Sequence, residues 1–118
     1  MANKNYFDLV NDFHVKYRLP MTPNSKKLQA AKIRHLKEEL KEYIKAVRNS
    51  DREQQLDALI DLVYVALGAA YFEKFNFDKA FKTVHAANMK KVAMPTKRSK
   101  WDVVKPKGWK APNIKRYT

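Results

Sequence analysis

Residues 56–72 read LDALIDLVYVALGAAYF, an apolar run interrupted only by Asp57 and Asp61. The two aspartates are four apart, so a helix sets both carboxylates on one face, one turn from each other. A bare carboxylate in an apolar wall is costly unless a cation pairs with it. The preceding segment KEELKEYI carries a second acidic cluster, Glu38, Glu39 and Glu42. A helix apolar nearly all round must be covered on more than one side. A chain this short has few helices to cover it, so a partner subunit is the expected source of the missing surface.

Working outward, the 118 residues suit one compact domain, 1–118. With 45% hydrophobic residues, 2 glycines, 5 prolines and long periodic segments, the composition favours an all-α fold over a sandwich or barrel. There are no cysteines, which excludes disulfides, thiolate zinc sites and cysteine nucleophiles. The N-terminus MANKNYFDLVNDF lacks a basic segment followed by an apolar run, so no secretory signal is read there. The 56–72 run reads as too short and too charged for a membrane span. The expectation is a soluble cytoplasmic protein with no membrane partner (the host's cytoplasm, for a phage-encoded chain).

The net charge of +13 is unevenly placed. From Lys90 to Thr118 there are ten Lys or Arg against Asp102 alone, 10 − 1 = +9, while seven of the 12 acids fall between Glu38 and Asp61. The acidic centre suits a metal and the basic tail suits a polyanion.

Four helices follow from the periodicity. Asn5–Tyr17 presents Phe7, Val10, Phe13 and Tyr17 on one face, with His14 beside them as a packing or capping residue, and Leu19-Pro20 ends it. Lys26–Arg48 carries a stripe of Leu28, Leu36, Leu40, Tyr43, Ile44 and Val47, after an N-cap at Asn24 or Ser25. The polar connector 49–55 is short enough to make its flanking helices antiparallel, bringing Glu42 and Asp57 across from each other. Phe77–Val92 reads as a fourth helix, capped by Asn76, with Phe77, Ala80, Phe81, Val84 and Val92 inward and Asn88 and Lys91 on one side. The helical core thus runs from about 5 to 93, and an irregular basic tail with Trp101 and Trp109 from about 94 to 118.

Carboxylates from two facing helices, without cysteine and without usefully spaced histidine, describe a hard-cation site for Mg²⁺ or Mn²⁺. Such an ion activates water and neutralises phosphoryl charge, so hydrolysis of a polyphosphate is the natural reaction. A di-iron carboxylate site needs Glu-x-x-His on two helices, and only the reversed His35-Leu36-Lys37-Glu38 is present. The competing bland reading is a solvated face on which Lys37, Lys41 and Lys45 pair with the glutamates.

These residues also resemble a family. Glu38-Glu39-Leu40-Lys41-Glu42 matches the EExxE element of the MazG-like all-α NTP pyrophosphohydrolases. Asp57–Tyr64 resembles that superfamily's acidic second element, and Val84–Lys91 its Asn-x-x-Lys element. The tail segment Lys105–Ile114 is similar to the closing segment of small phage-type members. The resemblance implies a bundle of four to five helices completed by oligomerisation into a homodimer or homotetramer. It implies Mg²⁺-dependent cleavage of a nucleoside triphosphate substrate, (d)NTP, between the α and β phosphates, giving (d)NMP and pyrophosphate. Glu39, Glu42 and Asp61 match metal ligands, and Glu38 is a further ligand or the residue orienting the attacking water. Asn88 and Lys91 would meet phosphate, and Lys105 and Lys107 of the tail join them as phosphate-binding candidates. The common second element is Glu-x-x-Asp, but Ala58 stands three before Asp61, so Asp57 must supply that ligand. The rival function is a small basic module that binds single-stranded nucleic acid through the tail. A catalytically dead helical scaffold is the third.

Overall fold

The computed structural model describes residues 3–118. Helix α1 spans Tyr6–Lys16 behind a capping box, in which the Asn5 side chain accepts from Asp8 N and the Asp8 carboxylate accepts from Asn5 N. Helix α2 spans Lys26–Arg48 and is capped by Ser25. Helix α3 spans Arg52–Phe72 and is capped by Asp51, whose carboxylate accepts from Gln54 N. Helix α4 covers Phe77–Asn88, with the Asn76 side chain accepting from Lys79 N. The fold is all-α apart from a minimal ladder in which β1 (Val92–Ala93) pairs antiparallel with β2 (Val103–Val104).

The chain divides into two compact units, residues 1–75 and 76–118. In the first, α2 and α3 are antiparallel neighbours and α1 packs on α3. Only Asn49–Asp51 separates α2 from α3, and Ser50 takes a left-handed φ of 52° to make the reversal. At the other end of the pair the Glu73 carboxylate accepts from Asn24 N at 3.0 Å and from Gln29 Nε2 at 2.8 Å. Those two bonds hold its pKa below the usual carboxylate range. Tyr71 donates its hydroxyl to the Leu19 carbonyl, tying the segment after α1 to the end of α3.

His14 is a packing residue, 3% exposed between the rings of Tyr71 and Phe72. Its Nδ1 lies 2.7 Å from the Val10 carbonyl and must donate, since a carbonyl only accepts. Gly68 lets the imidazole approach α3, because a Cβ there would lie 3.1 Å from two ring atoms. The Lys32 ammonium lies 5.0 Å over the Phe72 ring, and burial lowers its pKa.

In the second unit Tyr117, in the 3₁₀ turn Lys115–Tyr117, accepts from Asn76 N with its carbonyl, and its hydroxyl accepts from Thr83 Oγ1. The Trp109 indole donates to the Ala87 carbonyl at 2.8 Å. The loop between β1 and β2 is organised by Asp102, which accepts from Arg98, Thr96 Oγ1 and its neighbour Val103 N. The Arg98 guanidinium above all, then Thr96, holds the Asp102 carboxyl down to about 2.

The structure corrects several sequence expectations. Arg52–Gln55 of the polar connector is helical, so α3 starts earlier and reaches 21 residues. That makes it long and apolar enough to cross a membrane by length and composition, against the expectation that it was too short. Its packing against α1 and α2 gives it instead the position of a core helix. The fourth helix stops at Asn88 rather than Val92, because Val92 leaves to pair with Val104. Asn88 and Lys91 therefore do not share a helix face. The tail contains a strand and a 3₁₀ turn. On α2, Leu28, Leu36 and Tyr43 are half-buried, but Leu40, Ile44 and Val47 stay exposed.

Candidate active site

The acidic residues of α2 and α3 meet near their connector. Glu39 and Glu42 from α2 and Asp57 and Asp61 from α3 line one open cleft of about 430 Å³. Its wall includes Ala46 and Ala58, the buried alanines where the two helices run close. Lys45, Asn49, Asp51 and Gln54 complete the lining. Among these lining residues five are acidic and one is basic, 1 − 5 = −4. A cleft this negative, with two carboxylates from each of two facing helices, attracts cations and repels a bare polyphosphate.

Local sequence explains the placement. Glu39 and Glu42 are three apart and Asp57 and Asp61 four apart, so each pair shares one helix face. The tight reversal at Asn49–Asp51 sets the antiparallel register that brings Glu42 opposite Asp57. Asp57 is exposed and Asp61 half-buried. Glu38, exposed on α2, is not among the residues that line the cleft. Asn88, Lys91, Lys105 and Lys107 lie in the second unit: Asn88 ends α4, Lys91 follows it in a turn, and Lys107 lines a groove of that unit.

The Glu–Lys pairs of the competing solvated-face reading do not form on α2 among the described residues. Glu39 instead meets His35 one turn earlier, Nε2 to Oε1 at 3.4 Å. The i, i+4 spacing of His35 and Glu39 is the sequence signal for this contact. Asp51, in the polar connector, both caps α3 and lines the cleft.

Over residues 14–88, more than half of its length, the sequence matches the family model of the phosphoribosyl-ATP pyrophosphohydrolases. The chain belongs to the phosphoribosyl-ATP pyrophosphohydrolase family. That family is part of the MazG-like all-α NTP pyrophosphohydrolase superfamily, which the order of acidic elements resembled. Family membership makes the protein a nucleotide pyrophosphohydrolase, a hydrolase acting on acid anhydrides. The matched span begins at His14 and ends at Asn88, so it contains all five cleft carboxylates and leaves out Lys91 and the tail. No curated protein matches the chain.

Proposed function

We propose that this pyrophosphohydrolase is a Mg²⁺-dependent enzyme of nucleoside triphosphates, cleaving (d)NTP between the α and β phosphates to (d)NMP and pyrophosphate. The observation that carries the reading is the cleft in which Glu39, Glu42, Asp57 and Asp61 are presented together. Their donor set is all oxygen, which suits a hard cation. Among the described residues no three acidic or histidine groups stand close enough to enclose an ion by themselves. A sparse set of that kind fits Mg²⁺, which keeps several waters and shares its sphere with substrate phosphates, better than an ion needing a full protein cage. Mn²⁺ fits the same donors.

In this reading Glu39, Glu42, Asp57 and Asp61 would hold the ion jointly with waters and substrate phosphates, some of them through those waters. When bound, it lowers the pKa of a water and neutralises charge on the phosphoryl oxygens. Glu39, half-buried with His35 Nε2 3.4 Å from its carboxylate, would help to position the attacking water beside the ion. Glu38 lies outside the lining, and its part in orienting that water rests on the resemblance alone. Asn88, Lys91, Lys105 and Lys107 are assigned to phosphate by the resemblance alone. The preference for (d)NTP over phosphoribosyl-ATP rests on the likeness of Lys105–Ile114 to small phage-type members.

The test is a panel of NTPs, dNTPs and phosphoribosyl-ATP with Mg²⁺, Mn²⁺ or EDTA, read by ³¹P NMR. Monophosphate and pyrophosphate from the triphosphates, abolished by EDTA, are expected. Turnover of phosphoribosyl-ATP alone would replace the substrate assignment, and undiminished turnover in EDTA would remove the metal.

A further inference from the structure

The second unit carries more positive charge than the phosphate role of Lys91, Lys105 and Lys107 requires. Residues 76–118 hold twelve Lys or Arg and only Asp78 and Asp102 as acids, 12 − 2 = +10 of the total +13. Asp78 pairs with Lys82 and Asp102 with Arg98, so two acids stand against twelve cations in the unit. A single triphosphate cannot use so many.

Aromatic rings are interleaved with these cations. Trp101 is 83% exposed, with the Lys100 ammonium 5.1 Å over its ring. Trp109 is fixed by its hydrogen bond to Ala87 and has the ammoniums of Lys91 and Lys105 at 5.3 and 5.2 Å. It stands in an open groove of about 510 Å³, with Lys90, Lys107 and Lys110 among the lining. The Arg116 guanidinium lies 4.9 Å over Tyr117. An indole this exposed contributes nothing to a core, and ordering it in water has no folding benefit. A lysine over such a ring is a movable cover. An arriving base displaces it from the face, and the ammonium is left beside that nucleotide's phosphate.

The loop that displays Trp101 is held rigid. Asp102 clamps Arg98 and Thr96, and Thr96 N donates to the Ser99 carbonyl, so Lys97, Lys100 and Trp101 are presented on a fixed turn. We propose that the β1–β2 loop and the Trp109 groove bind single-stranded nucleic acid. Bases stack on the tryptophans while the surrounding lysines follow the phosphate backbone. Stacking on aromatic rings beside a cationic track is tolerant of sequence, so the ligand is a polynucleotide strand without a required base order. An anionic membrane surface is the competing partner for a basic patch with an exposed tryptophan. The arrangement of a cation over each of three separate aromatic rings favours nucleotides, whose charge and ring repeat together.

The experiment is fluorescence anisotropy of a short labelled oligo(dT) with the full chain, over a salt series, beside vesicles containing phosphatidylserine. Binding to the oligonucleotide should weaken linearly in log salt. Replacing both Lys97→Gln and Lys100→Gln should flatten the slope by about 1.4, at roughly 0.7 per lost phosphate contact on a single strand. Trp101→Ala removes no buried contact and should weaken binding about tenfold while leaving nucleotide hydrolysis unchanged. The proposal is overturned if the chain binds only the vesicles, or if neither substitution set weakens oligonucleotide binding. It is equally overturned if Trp101→Ala lowers hydrolysis in parallel, since the tryptophan would then serve the substrate.

Discussion

Asp61 sits half-buried among carboxylates from both sides of the cleft, and Lys45 is the one cation in the lining. With no ion bound, these like charges raise the energy of the folded state. Asp61→Asn should therefore keep the fold and raise the metal-free Tm by a few degrees, since about 1 kcal/mol moves a domain of this size by roughly 4–8 °C. The same change should abolish turnover, and calorimetry beside the hydrolysis assay reads both. An unfolded variant would mean that Asp61 has a structural partner. The neighbouring pair is a sharper case. Asp57 lines the cleft four before Asp61, and Ala58 lines it three before, where the common pattern has Glu. Asp57→Ala should lower turnover by about 10–100-fold if Asp57 is a ligand. Adding Ala58→Glu should restore little of it, because Ala58 is 3% exposed and a longer side chain there has to part the packed helices. If Asp57 serves only the helix dipole, worth ~0.3–1 kcal/mol, Asp57→Ala will leave turnover near wild type.

At the scale of the element, α3 is only partly covered by its own chain. Ala58, Val65, Leu67 and Ala70 are buried, yet Leu56, Leu59, Ile60 and Val63 stay exposed along another side. Tyr6 and Leu9 of α1 join Leu59, Ile60 and Val63 around an apolar groove of about 510 Å³. A contiguous apolar face of this kind marks an interaction site. We propose that a second copy of the chain covers it, in a homodimer or homotetramer. Ile60→Glu would place an unpaired charge in that interface and should shift sedimentation to the monomer. A wild-type chain that sediments as a monomer at high concentration would remove the oligomer from the account.

At the scale of the whole molecule, the helices and the cleft were legible because they rest on local periodicity. Lys26–Arg48 is found as read, and the 3-and-4 spacings of Glu39, Glu42, Asp57 and Asp61 place all four on one cleft. What was not legible depends on long-range pairing. Val92 continues a helical pattern in sequence, and only Val104, twelve residues on, takes it into a strand. The compositional break near residue 94 also differs from the division by contacts after Phe75, since α4 contacts the tail's 3₁₀ turn. The uneven burial has a consequence for how the protein comes apart. Every buried apolar residue among the described ones, from Val10 to Phe72, belongs to the first unit, and both tryptophans belong to the second. Far-UV ellipticity is dominated by α1–α3 and so follows the first unit, whereas indole emission follows the second. In a urea titration the two signals should not coincide, with emission changing at the lower concentration. Coincident curves would instead mean that the 118 residues melt as one cooperative body.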